Sequence, residues 1–171
     1  MSNTPPKKED TVKPAPLFLL VVLLLAGFTA APAQTAPSIC PIKGKTASDV
    51  SGDFGPRTHP VLKVVQQHDG IDIDVPVGTP VLATARGKVF LAGPKEGYGL
   101  EIELVHGGGF RTLYAHLSKV IVAPGATVKK GEVIGYSGRS GLASTAHLHY
   151  EVVKDGKRVD PKPYFGPPSR D

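Results

Sequence analysis

The stretch Ala146-His-Leu-His-Tyr-Glu-Val-Val153 alternates polar and apolar residues over most of its length. Successive side chains of a β-strand point to opposite faces, so the alternation predicts a strand that carries His147, His149 and Glu151 on one face. The apolar residues between them then form the buried face. Two histidines at this spacing are roughly 7 Å apart, so one can bind a metal while the other reaches a water bound to it.

Alternation of the same kind predicts a hairpin earlier in the chain. Leu100–Val105 alternates strictly, and Phe110–Leu117 is its return strand after the turn at Gly107-Gly-Gly109. One face of the return strand should carry Phe110, Thr112, Tyr114 and His116. Short apolar runs between glycines and prolines continue through the rest of the chain, and no stretch has helical periodicity. We therefore predict an all-β fold, a compact antiparallel β-barrel or sandwich.

Length and charge narrow the class of protein. A chain of 171 residues is enough for one domain with a hydrophobic core. Its 20 Lys and Arg outnumber its 15 Asp and Glu, so the net charge of +5 should favour anionic partners. The sequence contains no run of arginines, basic helix or aromatic platform, which argues against nucleic-acid recognition. We expect a monomer.

The N-terminal 33 residues have the pattern of an export signal. A polar start with three lysines leads into the apolar run Leu17–Ala26, and Ala31-Pro-Ala33 fits the small-x-small pattern of a signal-peptidase site. The apolar run is shorter than the roughly twenty residues that cross a bilayer, so we predict a signal peptide over 1–33, with an uncleaved membrane anchor as the alternative. In both cases the rest of the chain works outside the cytoplasm, in the periplasm, the cell envelope or the extracellular space.

Composition sets the remaining boundaries. Residues 34–50 are rich in Pro, Ser, Thr, Ala and Lys and are predicted to be a flexible linker. Strand and turn signals run from 51 to 165, which we take as the folded domain, and residues 166–171 are a tail. Cys40 is the single cysteine, so no disulfide can form within the chain.

The segment His68-Asp-Gly-Ile-Asp72 holds two candidate metal ligands at a spacing that a straight strand would not allow. Residues four apart on a strand are separated by roughly 13 Å, too far to share one ion. Asp69-Gly70 is a strong turn signal, and a bend or bulge at Gly70 would bring His68 and Asp72 together. The prediction of a shared site depends on that bend.

The histidines and carboxylates together predict a zinc site for hydrolysis. Catalytic zinc takes three protein ligands and a water, and His68, Asp72 and one of the two strand histidines make such a set. The other strand histidine and His116 would be free to transfer protons. Zinc lowers the pKa of its water to about 7, and imidazole titrates near neutrality, so this set suits amide hydrolysis.

Four separated motifs occur in order along the predicted domain. They are Phe54-Gly-Pro-Arg-x-His-Pro60, His68-x-x-x-Asp72 followed by Gly78-Thr-Pro-Val81, Tyr114-Ala-His-Leu-Ser118, and His147-x-His149. Together they resemble the lysostaphin-like, LytM-type zinc endopeptidases. The resemblance covers roughly Ser51 to Phe165, and agreement of several motifs at once is far more specific than any one of them.

The resemblance implies a fold, an activity and a set of site residues. The fold is the LytM-type β-barrel or sandwich, a duplicated hybrid motif, with one zinc ion per chain in a groove. The implied ligands are His68, Asp72 and His149. The implied catalytic pair is His116 and His147, which would activate the zinc-bound water and stabilise the intermediate and the leaving group. The substrate is bacterial peptidoglycan, cut at peptide bonds of its stems or cross-bridges.

Two other functions stay open at this stage. A catalytically silent wall-binding or hydrolase-activating domain of the same fold would bind zinc weakly or not at all. Val122–Gly135 resembles the hairpin of a biotinyl or lipoyl carrier domain, but Lys129 and Lys130 lack the sequence context of a modified lysine. Export also argues against a carrier.

Several single residues have two readings. Glu151 either orients one of the strand histidines or is a solvated carboxylate. Tyr114 either edges the groove or packs in the core. His59 follows Arg57 in a loop and either lines the groove or has a structural role. His106, at a hairpin end, is expected to be exposed.

Overall fold

Antiparallel strands make up nearly all of the regular structure. This computed structural model describes residues 1–2, 36–58 and 64–166. The strands within them are β1 (Gly55–Thr58), β2 (Val65–His68), β3 (Ile71–Asp74), β4 (Pro80–Leu82), β5 (Gly87–Lys95), β6 (Gly99–Val105), β7 (Phe110–Leu117), β8 (Lys119–Val120), β9 (Thr127–Val128), β10 (Val133–Tyr136), β11 (His147–Lys154) and β12 (Lys157–Val159). Two short 3-10 helices lie in the same residues, at Ala47–Asp49 and Lys162–Tyr164.

The strands form two sheets and a separate hairpin. The large sheet has the order β12-β11-β7-β6-β5-β9, and β3 joins it by pairing with β11. The small sheet has the order β4-β10-β8, and β1 pairs with β2. Each of these pairings is antiparallel. The prediction of an all-β antiparallel fold is confirmed, and the predicted hairpin is present as β6 and β7.

One apolar core includes residues of both sheets. β11 contributes Leu148, Tyr150 and Val152, which are fully buried, as the alternation of this strand predicted. Other strands supply further residues of the same core, among them Ile71, Ile73, Val81, Ile102, Leu104 and Ile134. Full burial of one such side chain contributes about 1.5–3 kcal/mol. This burial fixes which face of each strand points inward.

Tyr114 belongs to this core, which decides between its two readings. It is fully buried, and its ring centroid lies 5.2 Å from that of Tyr150. Its hydroxyl lies 3.0 Å from the hydroxyl of Thr84, which in turn lies 2.9 Å from that of Tyr150. Such partners are needed because an unpaired buried hydroxyl costs about 1–3 kcal/mol.

Residues 36–50 pack against the strands, which differs from the flexible linker predicted over 34–50. Ile42 is 3% exposed and belongs to the apolar core. The backbone N–H of Leu82 donates to the carbonyl oxygen of Pro41 at 2.8 Å. Composition could not reveal this packing, because one buried isoleucine is enough to anchor a segment that is otherwise polar and rich in proline.

Some predictions fall on residues that the structure does not describe. The predicted signal peptide or anchor over 1–33 lies outside the described residues apart from 1–2, and so do His59 and residues 167–171 of the predicted tail. Across the part of the chain that the structure describes, no helix is long and apolar enough to span a membrane.

Replacing Ile42 by alanine should lower the free energy of unfolding by about 2–5 kcal/mol, because the substitution leaves a cavity in a packed core. The matched control is Ile121→Ala, since Ile121 is 45% exposed and its truncation should change stability by about 0.5 kcal/mol or less. Urea unfolding followed by circular dichroism measures both effects. Small and equal effects at the two positions would show that residues 36–50 behave as a linker.

Candidate metal centre

A sharp change of direction at Gly70 brings His68 and Asp72 together. β2 ends at His68, β3 begins at Ile71, and the chain bends at Gly70 between them. Glycine is needed there because a Cβ would overlap the carbonyl oxygen of Tyr150 on β11. The bend that the sequence analysis required is confirmed.

Three side-chain atoms meet where β3 pairs with β11, in a register that puts Asp72 opposite His149. Asp72 Oδ1 lies 2.9 Å from His149 Nδ1 and 3.2 Å from His68 Nε2, and the two nitrogens are 3.2 Å apart. Ligands that sit about 2.0–2.1 Å from zinc at tetrahedral corners are themselves roughly 3.3 Å apart. These three atoms, which we call the ligand triangle, are therefore spaced as the ligands of one small metal ion.

Both histidines of the ligand triangle hold their second ring nitrogen in a hydrogen bond. His68 Nδ1 lies 2.7 Å from the backbone carbonyl oxygen of Asp53, which can only accept, so Nδ1 carries the hydrogen and Nε2 presents its lone pair. His149 Nε2 lies 3.1 Å from a carboxylate oxygen of Glu151 and donates to it, so Nδ1 faces the triangle. Outer partners of this kind decide which nitrogen binds a metal.

Hydrogen bonds within the triangle set the charge of its members. Burial would raise the pKa of the Asp72 carboxyl, but the hydrogen bond from His149 and the adjacent His68 ring hold that pKa well below its usual range. Burial would lower the pKa of His149, yet its hydrogen bonds with Asp72 and Glu151 raise that pKa to about 9. A proton and a metal cation therefore compete for His149.

The side chain of His116 reaches the ligand triangle because it departs from the alternation of side chains between the two faces of β7. Strand alternation predicted His116 on one face with Tyr114, and that part of the prediction is wrong. His116 has a φ of 59°, in the left-handed region that residues other than glycine rarely adopt. Its ring centroid lies 4.8 Å from that of His147 and 5.8 Å from that of His149. Such a backbone persists only where the surrounding structure holds it.

His116 and His147 also have one ring nitrogen fixed by a backbone carbonyl. His116 Nδ1 lies 2.8 Å from the carbonyl oxygen of Ser140, and His147 Nδ1 lies 2.9 Å from that of Thr145. Each Nδ1 therefore carries the hydrogen, and each Nε2 is left as an acceptor. His147 Nε2 lies 3.7 Å from Asp72 Oδ1. Burial, reinforced by the neighbouring imidazoles, lowers the pKa of His116 and favours its neutral form.

The ligand triangle and the two further histidines line one open groove of about 490 Å³. Residues of β2 and of several loops complete its walls, among them Ser51, Gln67, Tyr98, Leu142 and Thr145. Arg57 Nη1 lies 3.3 Å from Asp72 Oδ2, and the Arg57 side chain is 55% exposed. The groove therefore offers a cation beside the ligand triangle.

Glu151 is buried, which excludes the reading of a solvated carboxylate. The sequence did not reveal its hydrogen-bond partners Tyr98 and Arg158. It also did not reveal the backbone carbonyls that fix the other three histidine rings. Every residue has a backbone carbonyl, so no residue type marks this role. Tyr98 lies in a turn between glycines and Arg158 on a short exposed strand, where neither gives a sequence signal.

His106 was expected to be exposed, and this expectation is wrong. It is 5% exposed, and its two ring nitrogens each lie 2.8 Å from an oxygen, one of the Arg86 carbonyl and one of the Thr112 hydroxyl. Burial lowers its pKa. It is a structural histidine and does not line the groove.

Comparison with known proteins places this arrangement in a family. The sequence profile described as peptidase family M23 matches residues 66–161, more than half of the chain. The DD-carboxypeptidase/endopeptidase Mpg of Neisseria meningitidis serogroup B is 46% identical over 112 residues, which cover 66% of this chain and 26% of that protein. This chain thus spans about a quarter of the length of that relative.

Two solved structures share the fold. A zinc-containing peptidase from Vibrio cholerae superimposes with a TM-score of 0.69 and 32% identity, covering 77% of this chain and 41% of that one. The catalytic domain of the antimicrobial peptidase lysostaphin from Staphylococcus simulans superimposes with a TM-score of 0.61 and 34% identity. The match covers 67% of this chain and 90% of that one. The resemblance drawn from the four motifs is confirmed, and so is the fold that it implied. The chain belongs to peptidase family M23.

Proposed function

We propose that this protein is a zinc-dependent endopeptidase that hydrolyses peptide bonds in the stems or cross-bridges of bacterial peptidoglycan. The observation that carries the proposal is the meeting of three metal-ligand atoms and two further imidazoles in one open groove. Membership of a peptidase family supports peptide-bond hydrolysis. The Neisseria relative is named a DD-carboxypeptidase/endopeptidase, which favours a D,D-peptide bond as the bond that is cut.

Zinc is the ion that suits these donors, and we assign one ion per chain to His68, Asp72 and His149. Two imidazole nitrogens and one carboxylate oxygen form a ligand set used by catalytic zinc sites. The Vibrio structure is described as a zinc-containing peptidase, which supports the same ion. When bound, zinc provides a nucleophile at neutral pH by lowering the pKa of water, and it polarises the scissile carbonyl.

We assign the proton transfers to His116 and His147. Each ring donates Nδ1–H to a carbonyl, so each Nε2 is held ready to accept a proton or, once protonated, to donate it. His116 is kept neutral by burial and suits the base that takes a proton from the nucleophile. His147, whose Nε2 lies 3.7 Å from Asp72 Oδ1, suits the acid that returns a proton to the leaving amine.

We infer that the protein is exported and acts on the cell wall. The N-terminal lysines, the apolar run Leu17–Ala26 and the small residues after it support export. The net charge of +5 suits an anionic wall. The groove is open at the surface, which admits a segment of a large cross-linked polymer more readily than an enclosed pocket would.

The His149→Ala variant should lose zinc and activity together, because it removes one of the three ligand atoms. The wild-type chain should carry one zinc ion and release cross-link peptides from purified peptidoglycan. His106→Ala is the matched control, since His106 is a buried histidine outside the groove, and this variant should keep its zinc. Metal analysis and mass spectrometry of the products measure both properties. A wild-type chain that binds the wall without zinc or cleavage would contradict the proposal and favour a silent wall-binding domain.

Replacing His116 or His147 by glutamine should separate catalysis from metal binding. Each variant should keep one zinc ion and lose about 10²- to 10⁴-fold in kcat, the usual contribution of a general acid or base. Initial rates on peptidoglycan, measured beside the zinc content, test this expectation. Full activity in both variants would refute the catalytic assignment, and loss of zinc from either would identify that histidine as a ligand.

Zinc affinity should rise about tenfold per pH unit up to about pH 9, because the ion must displace the proton of His149, whose pKa is raised to about 9. Below that pKa the imidazolium competes with the ion, and above it this competition ends. Calorimetric titration at neutral pH in two buffers of different ionisation enthalpy should show about one proton released per zinc. An affinity that does not change from about pH 6.5 to about pH 8 would be inconsistent with this coupling.

A further inference from the structure

We propose that Glu151 and Arg158 act as a positioning pair that holds His149 with Nδ1 towards the ligand triangle and thereby sets the zinc affinity of the centre. This inference rests on the proposed function, because it takes the triangle to be a zinc site. Neither residue supplies an atom to the triangle, and both act through His149.

Glu151 is placed to orient His149 by its position on β11. It lies two residues after His149, so both side chains point to the same face of the strand. Its side chain is 1% exposed. Glu151 Oε1 accepts from His149 Nε2 at 3.1 Å and from the Tyr98 hydroxyl at 2.9 Å. Since a carboxylate only accepts, the hydrogen of the neutral His149 ring is held on Nε2, and Nδ1 keeps its lone pair.

Arg158 connects the two segments that carry the ligand histidines. It lies on β12, which pairs with β11. Its Nε donates to Glu151 Oε2 at 2.8 Å and lies 3.3 Å from Asp69 Oδ2. Asp69 directly follows His68, so one guanidinium ties the bend before β3 to the carboxylate that orients His149. Hydrogen bonds between such charged groups are roughly twice as strong as neutral ones.

The position of Glu151 requires a carboxylate, because three donors surround it. Ionised glutamate accepts from His149, Tyr98 and Arg158 at once. A glutamine has one acceptor oxygen and one amide NH2. Its NH2 would therefore face an N–H donor, either that of His149 or that of Arg158. Turned towards His149, the NH2 would favour a hydrogen on Nδ1, the nitrogen that must be free of hydrogen to bind a metal.

The test is the zinc affinity of the full chain, measured by competition with a chromophoric chelator. Glu151→Gln should weaken zinc binding by about 10- to 100-fold, the usual effect of losing an outer partner of a ligand histidine. Glu101→Gln is the matched control. Glu101 is also fully buried and lies in the same sheet, but its partner is Lys95, 3.1 Å away. Its variant should bind zinc as the wild type does.

Arg158→Met and its control, Arg111→Met, test the second member of the positioning pair. They also test the positioning role by themselves if Glu151→Gln does not fold. Arg158→Met should weaken zinc binding, and adding it to Glu151→Gln should weaken binding no further, because both act through one contact. Arg111→Met is the control, since Arg111 has a similar exposure, 47% against 45% for Arg158, and pairs with Glu103. It should leave the affinity unchanged.

A Co²⁺ absorption spectrum of each variant gives a readout that a merely structural role would not change. The positioning role predicts altered bands for Glu151→Gln and wild-type bands for Glu101→Gln. Zinc affinities equal to those of the controls, with only the unfolding temperature lowered, would overturn it. A wild-type chain that binds no zinc would overturn the proposed function and this inference with it. Zinc binding without peptidoglycan cleavage would contradict the proposed activity alone, and the affinity comparison would still decide the positioning role.

Discussion

The pairing of β3 with β11 is the constraint on which the ligand triangle depends. In this register Asp72 stands opposite His149. If one strand slipped by one residue against the other, all of its polar side chains would turn to the opposite face of the sheet. The register is fixed from that other face, because Ile71 and Ile73 of β3 are fully buried in the core beside the apolar residues of β11. Apolar burial therefore determines where Asp72 and His149 lie, and the ligand triangle is built on a position that the core already specifies.

Each histidine of the candidate centre holds one ring nitrogen in a hydrogen bond to the fold and leaves the other available for the proposed metal binding or proton transfer. Three rings donate to backbone carbonyls, and the fourth donates to a buried carboxylate. A carbonyl or carboxylate cannot donate, so these contacts choose the tautomer as well as the ring orientation. In the proposed reaction these rings need little reorganisation, and preorganisation of this kind lowers a barrier.

Strand alternation and turn chemistry predicted much of this fold, because both report on local geometry. The buried face of β11 and the bend at Gly70 follow from a few neighbouring residues. His116 was assigned to the wrong face because its left-handed backbone is imposed by contacts from other parts of the chain. Burial of Ile42 and His106 was missed for the same reason, since the groups that cover them are distant in sequence. The carbonyl partners of the rings were beyond sequence reasoning, because carbonyls are common to all residues.

The left-handed backbone of His116 is sustained by two loops that pack against each other. A Cβ at Gly99 or at Gly141 would overlap the opposite loop, so the close approach depends on glycine at both positions. In the first loop, the carbonyl oxygen of Tyr98 accepts a hydrogen bond from the backbone N–H of His116. In the second loop, the carbonyl oxygen of Ser140 accepts one from the ring N–H of His116. A left-handed residue costs about 1–2 kcal/mol, and two hydrogen bonds at about 0.5–1.5 kcal/mol each are enough to offset it. The strain is thus balanced by contacts within the protein itself, so the position of this imidazole does not depend on a bound substrate.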